Sequence, residues 1–178
     1  MLLGYRLPKG NGMVDDFPDV AESNADFVAA FPGKDVPGLP AKKMLLLTCM
    51  DCRILPHQAL GMELGDMKVL RNGGGQLNSA IESDIVLANH VLDCDRILIM
   101  QHTRCGMVAS TLESVREAVQ SNTGVDASQF TPSVIDNQME KLTRDVKTLR
   151  NNPLLKSNVV VQGAMYDVDT GKVDFIDE

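Results

Sequence analysis

The sequence predicts an α/β protein whose central sheet is mostly parallel, with about four parallel strands plus an antiparallel edge strand, flanked by helices. Short continuous apolar runs recur at "KMLLLTCM", "MKVLRN", "RILIMQH" and "NVVVQGAMY". Each is too short for a typical helix and lacks strict alternation, which suits strands buried on both faces. Between the runs lie segments whose apolar residues repeat at helical spacing, as crossovers between parallel strands must. Strand and helix therefore alternate along the chain.

Taken in order, "SNADFVAAF" predicts a short helix, and the Pro- and Gly-rich "FPGKDVPGLPAKK" reads as a surface connector into the first strand. Residues 1–40 are thus an N-terminal helical arm and connector within a single domain spanning 1–178. After the second strand, Leu77, Ile81, Ile85, Ala88 and Leu92 step by four, four, three and four, with Ser79 and Glu82 as a capping box. "MVASTLESVREAVQ" follows the third strand with helical spacing. Ile135, Met139, Leu142, Val146 and Leu149 mark another helix, introduced by "TPS" and ended by "RNNP". The tail "VVVQGAMYDVDTGKVDFIDE" reads as a strand, a D-T-G-K turn and a short antiparallel return strand at the sheet edge.

At 178 residues, 44% hydrophobic and 23% charged, the chain is large enough for one packed core and needs no disulfide staples. The net charge of −7 leaves no broad basic footprint, so nucleic acid and acidic membrane are excluded as partners. No apolar run approaches the roughly 20 residues that span a bilayer, and residues 1–12 lack a secretory pattern. A cytoplasmic protein is expected, although an organelle protein relieved of its transit peptide has the same appearance. Cysteines stand at 49, 52, 94 and 105, and a reducing compartment favours metal or catalytic use over a disulfide framework.

In an open parallel sheet, ligands gather at the carboxyl ends of strands near the reversal of strand order. Three polar clusters fall at such ends: "CMDCR", "RNGGG" and "QHTRCG". If the first and third strands are neighbours, Cys49, His102 and Cys105 converge. Two thiolates and an imidazole suit zinc and leave a fourth position open, as catalytic sites require. Two thiolates also weaken the ion as a Lewis acid, so its water needs help to ionise. Cys49, Asp51 and Arg53 share one strand face while extended geometry lasts, and a bidentate Arg53 can lower the pKa of Asp51 and aim it at that water. The Cys105 thiol precedes a helix start, which favours thiolate.

Other readings stand beside these. Cys49 with Cys52 has the spacing of a redox C-x-x-C pair, and His102 with Cys105 fits a satisfied core histidine and an inert thiol. "RNGGG" is a tight turn, yet the amides of Gly73 and Gly74 can also contact substrate or orient Asp51. Arg71 reads as a structural ion-pair partner. His57 and His90 are candidate proton relays or plain surface histidines. Cys94, at the amino end of the third strand, reads as a small buried residue.

"CMDCR", "RNGGG" and "HTRCG" in this order resemble the β-class carbonic anhydrases, whose pattern is C-x-D-x-R, R-N-x-G-G and H-x-x-C. The resemblance runs from "SNADFVAAF" to "YDVDTGKV". It implies zinc (one Zn2+ per chain) on Cys49, His102 and Cys105, a catalytic Asp51–Arg53 dyad, and reversible hydration of CO2 to bicarbonate and a proton by zinc-bound hydroxide. It also implies that Asp51 can swing onto zinc, and that the chain forms a homodimer or higher homo-oligomer whose partner completes the pocket. Cys52 stands where similar sequences carry Ser or Ala, and a tryptophan-containing bicarbonate pocket is excluded because the chain has no Trp. Similar short chains include carbonyl sulfide hydrolases, so hydrolysis of COS or CS2 on the same zinc is an alternative. A non-catalytic or redox zinc/thiol protein is the alternative of another class.

Overall fold

The structure, a computed structural model, describes residues 17–33 and 35–177. The whole segment read as free of a secretory pattern and the start of the N-terminal arm lie outside the described residues. The chain divides into two compact units, Met1–Asp35 and Val36–Glu178.

The first unit contains α1 (Pro18–Ala29). It begins five residues before "SNADFVAAF" because Pro18 sits in the first turn, where its missing N–H costs nothing, and Asp19 complements the positive helix end. Phe27 and Phe31, one turn apart, bring their rings to 5.4 Å.

The second unit runs β1 (Met44–Cys49), α2 (Pro56–Leu60), β2 (Met67–Asn72), α3 (Ser79–Val91), β3 (Arg96–His102), α4 (Gly106–Ala109), α5 (Leu112–Thr123), α6 (Gln138–Arg150), β4 (Val160–Tyr166) and β5 (Val173–Phe175). The sheet order is β2-β1-β3-β4-β5. The first four strands are parallel, and β5 returns antiparallel on β4. The fold is the expected one, with β1 and β3 adjacent and in register from Met44↔Arg96 to Thr48↔Met100. Strand order reverses between these two strands, so their carboxyl ends form the switch point.

Both faces of the sheet are packed at its centre. Leu45, Leu47, Ile97, Ile99 and Val161 meet Ile81, Ile85 and Ala88 of α3 and Leu142, Val146 and Leu149 of α6. Met44, Leu46, Leu98, Met100, Ala164 and Tyr166 cluster with Ile54 and Met67 on the other face. Every residue of β1 is buried, and only Arg96 of β3 is exposed. In β2, by contrast, only Met67 is buried, because this strand lies at the sheet edge. Its apolar run fits an edge as well as a centre, which corrects the expectation of burial on both faces.

The helix starts also differ from expectation. Asn78, not Ser79, caps α3, its side chain accepting from the Ile81 amide at 3.0 Å. Asn137 caps α6 through the Glu140 amide at 3.2 Å, so Ile135 precedes the helix and donates its amide to the Met107 carbonyl instead. The stretch 107–120 is not one helix. It breaks at Ser110–Thr111, where Thr111 and Ser114 form a capping box that opens α5. On α6, the buried Asp145 accepts from Lys141 and from the Leu77 amide, while Lys141 also reaches the Leu77 carbonyl. These bonds fix the chain as it leaves the Gly-rich turn.

Candidate functional site

Strand order brings the end of β1 beside the end of β3, and the loop after β3 returns Cys105 to the same point. The ligand atoms of Cys49, His102 and Cys105 all lie within 4.8 Å of one another, and all three residues are buried. The His102 ring places Nδ1 2.9 Å from the Thr103 carbonyl. With the proton on Nδ1, Nε2 presents a lone pair to the two thiols. Among the described residues, Nε2 has no hydrogen-bond partner although the side chain is fully buried. Such an orphan is costly, and a metal ion between the three donors would satisfy it. The donor set and its closure therefore fit zinc.

Burial pushes the Cys49 thiol up, but His102 and the amides of Gly74 and Asp51 outweigh it and bring the pKa down to about 7. For Cys105, burial outweighs the amides of Met107 and Val108 and raises the pKa. The neighbouring Cys49 raises it further, so the stabilisation expected from the helix start after Cys105 does not prevail.

The Gly-rich turn closes over Cys49. The Gly74 amide donates to Cys49 Sγ at 3.3 Å, so the structure pairs it with the sulfur rather than with Asp51. Gly75 has φ +61°, and a Cβ there would lie 2.9 Å from the Cys49 nitrogen and the Thr48 carbonyl carbon. These are backbone atoms that cannot step aside. Gly75→Ala is expected to cost about 3 kcal/mol, from left-handed strain and overpacking together, and urea unfolding measures it.

Asp51 and Arg53 pair as expected but for a different reason. β1 ends at Cys49, and residues 51–53 turn rather than extend, with the Ile54 amide donating to the Asp51 carbonyl. Asp51 Oδ1 accepts from both the Arg53 amide at 3.0 Å and Arg53 Nε at 2.8 Å, and Oδ2 accepts from Nη2 at 2.7 Å. The Arg53 guanidinium holds the Asp51 carboxyl well below the usual carboxylate range. Oδ2 stands 3.9 Å from His102 Nε2, at the rim of the three donors.

Arg71 corrects another expectation. It is a backbone clamp, donating to the carbonyls of Cys49 at 2.8 Å, Asp51 at 2.7 Å and Ile54 at 3.4 Å. Five donors in a planar fork suit this bridging of a turn, and its place beside Asn72 and the glycines was the available signal. Cys52 is exposed, and Cys94 is buried with its thiol 3.9 Å from the Met44 carbonyl, at the opposite end of β1. His90 Nε2 contacts the Leu154 carbonyl at 2.8 Å, away from the cluster.

Residues 44–131 match the family model described as carbonic anhydrase. The putative carbonic anhydrase YtiB of Bacillus subtilis is 30% identical over 155 residues, covering 77% of this chain and 82% of the relative. Beta-carbonic anhydrase 1 of Mycobacterium tuberculosis is 26% identical, over 88% of this chain and 94% of the relative. A carbon disulfide hydrolase of Acidithiobacillus thiooxidans is 27% identical, over 75% and 77% of the two chains. Among solved structures, carbonic anhydrase from Streptococcus mutans superposes with a TM-score of 0.84 at 29% identity, covering 93% of this chain and all of that one.

Proposed function

We propose that this chain, which belongs to the β-carbonic anhydrase family, catalyses the reversible hydration of carbon dioxide to bicarbonate and a proton with one zinc ion per chain. The observation that carries the reading is the fully buried, unpartnered His102 Nε2 among the described residues, facing two thiols with an ionised carboxylate at their rim.

Cys49, His102 and Cys105 would hold the ion. Zinc in such a site acts as a Lewis acid that makes water nucleophilic near neutral pH and steadies developing charge. Two thiolates temper that effect, which gives Asp51 its part. Oδ1 already accepts two hydrogen bonds and is saturated, whereas Oδ2 accepts one and keeps a lone pair. Oδ2 is therefore the atom that receives a hydrogen bond from the attacking water. Arg53 keeps this carboxylate ionised and fixes its direction, and Arg71 fixes the turn that carries both. The Gly74 amide steadies thiolate charge on Cys49. Substrate contact at Gly73 and Gly74 belongs to the same reading.

A homodimer or higher homo-oligomer is also part of the proposal, supported by Met50 and Leu55, which flank the site turn and expose 62% and 57% of their surface. No helix among the described residues is long and apolar enough to cross a membrane. A cytoplasmic location is the accompanying proposal. All four cysteines are free thiols and Cys49 faces His102 and Gly74, which supports a metal site over a C-x-x-C redox pair.

A second reading, hydrolysis of CS2 or COS on the same zinc, is supported by the carbon disulfide hydrolase relative. Both substrates, like CO2, are linear molecules attacked at a central carbon. Stopped-flow CO2 hydration at pH 7 and pH 9, with sulfide release from CS2 and COS measured on the same zinc-loaded preparation, separates them. Hydration at either pH without sulfide release is expected. Sulfide release without hydration would establish the second reading instead.

A further inference from the structure

The loop between β4 and β5 grips the segment that joins His102, at the end of β3, to Cys105. Thr103 donates its amide to the Tyr166 carbonyl at 2.9 Å, and its hydroxyl donates to Asp167 Oδ1 at 3.4 Å while accepting from the Val168 amide at 3.2 Å. Arg104 Nη1 meets Asp169 Oδ1 at 2.6 Å. Asp169 is itself tied to Asp167 through its amide at 2.8 Å.

Arg104 has φ +56°, a left-handed conformation that disfavours a residue with a Cβ. Glycine would adopt it without strain, so an arginine here needs support from outside its own backbone. In this conformation the Arg104 carbonyl accepts from Arg53 Nη2 at 3.1 Å. That bond matters because Arg53 is exposed, and solvent screening with side-chain entropy leaves an exposed guanidinium loosely held by one carboxylate. Arg53 supplies all three of the hydrogen bonds described above for the Asp51 carboxylate, whose Oδ2 is 3.9 Å from His102 Nε2. A loosened Arg53 therefore frees Asp51 to turn towards the donor cluster and occupy the place that substrate water needs.

We infer that Thr103 and Arg104, clamped by Asp167 and Asp169 of the β4–β5 loop, are positioning residues that hold Arg53 on Asp51. The inference builds on the proposed function, but the bond it concerns can be read without activity. Exchange of the Arg53 Nε–H in zinc-loaded protein, followed by nitrogen-15 NMR at pH 6, reports how often that guanidinium lets go. Thr103→Val and Asp169→Ala are expected to speed exchange about 3- to 10-fold, the effect of losing a hydrogen bond. Thr103→Ser, which keeps the hydroxyl, is expected to exchange at the wild-type rate. Zinc content should be unchanged in all three, and kcat for CO2 hydration should fall in the first two only.

Exchange within twofold of wild type in both Thr103→Val and Asp169→Ala would overturn the inference. Faster exchange accompanied by zinc loss, or with kcat unchanged, would overturn it as well, since the clamp would then serve only the ligands or the loop. Asp169 is exposed, so its variant decides the matter if Thr103→Val fails to fold. A wild-type protein that does not hydrate CO2 would refute the proposed function while leaving the exchange result to judge the clamp.

Discussion

Asp51→Asn is expected to keep about one zinc per chain and to lose about 100-fold in kcat for CO2 hydration, the scale on which a proton acceptor beside a metal contributes. The amide has one oxygen where the carboxylate has two, and Arg53 uses both. An NH2 group in place of Oδ2 cannot receive a hydrogen bond from water, and one in place of Oδ1 breaks the contacts from the Arg53 amide and Nε. Cys49, His102 and Cys105 are untouched, so metal analysis should not change. Stopped-flow hydration and zinc content measured on one preparation check both halves. Full activity in this variant would remove Asp51 from the reaction.

Cys105→Ser and His102→Asn are expected to abolish metal binding, to below about a tenth of a zinc per chain after dialysis, because three donors are the minimum that closes this type of site. The chain should still fold. Its core rests on residues such as Leu45, Leu47, Ile99, Leu142 and Val146, which do not depend on the ion. Zinc binding adds stability by mass action, about 4 kcal/mol at a thousandfold excess over Kd. Thermal unfolding with and without zinc should therefore differ for the wild type and coincide for both variants. A variant that retains stoichiometric zinc would show that the ion is held elsewhere.

The strands at the centre of the sheet were legible because β1 and β3 are buried on both faces, and such strands read as unbroken apolar runs. β2 carries a similar run yet lies at the edge, since an apolar stretch does not encode how many neighbours a strand has. The interiors of α3 and α6 followed their spacing, whereas their starts moved to Asn78 and Asn137 and the stretch 107–120 broke into two helices. Asn, Ser and Thr all cap well, and local pattern does not choose among adjacent candidates.

At the site, convergence of Cys49, His102 and Cys105 followed from adjacent strand ends. The Asp51–Arg53 pair was legible as chemistry but not as geometry: alternation along a strand suggested it, while a turn just beyond the strand produces it. The roles of Arg71, Gly75 and Arg104 depend on backbone atoms of distant segments. Their partners are the carbonyls of 49, 51 and 54, the backbone of 48 and 49, and the guanidinium of Arg53. A one-dimensional pattern of side-chain types carries little of that information.

The central claim is that Cys49, His102 and Cys105 together hold the zinc on which Asp51 acts. A crystal structure of the zinc-loaded protein, with anomalous diffraction measured at the zinc edge, tests it most directly. The account predicts one anomalous peak per chain, about 2.3 Å from both sulfurs and about 2.0–2.1 Å from His102 Nε2, with Asp51 held by Arg53. A zinc peak elsewhere, or a Cys49–Cys52 disulfide with no metal at His102, would contradict it.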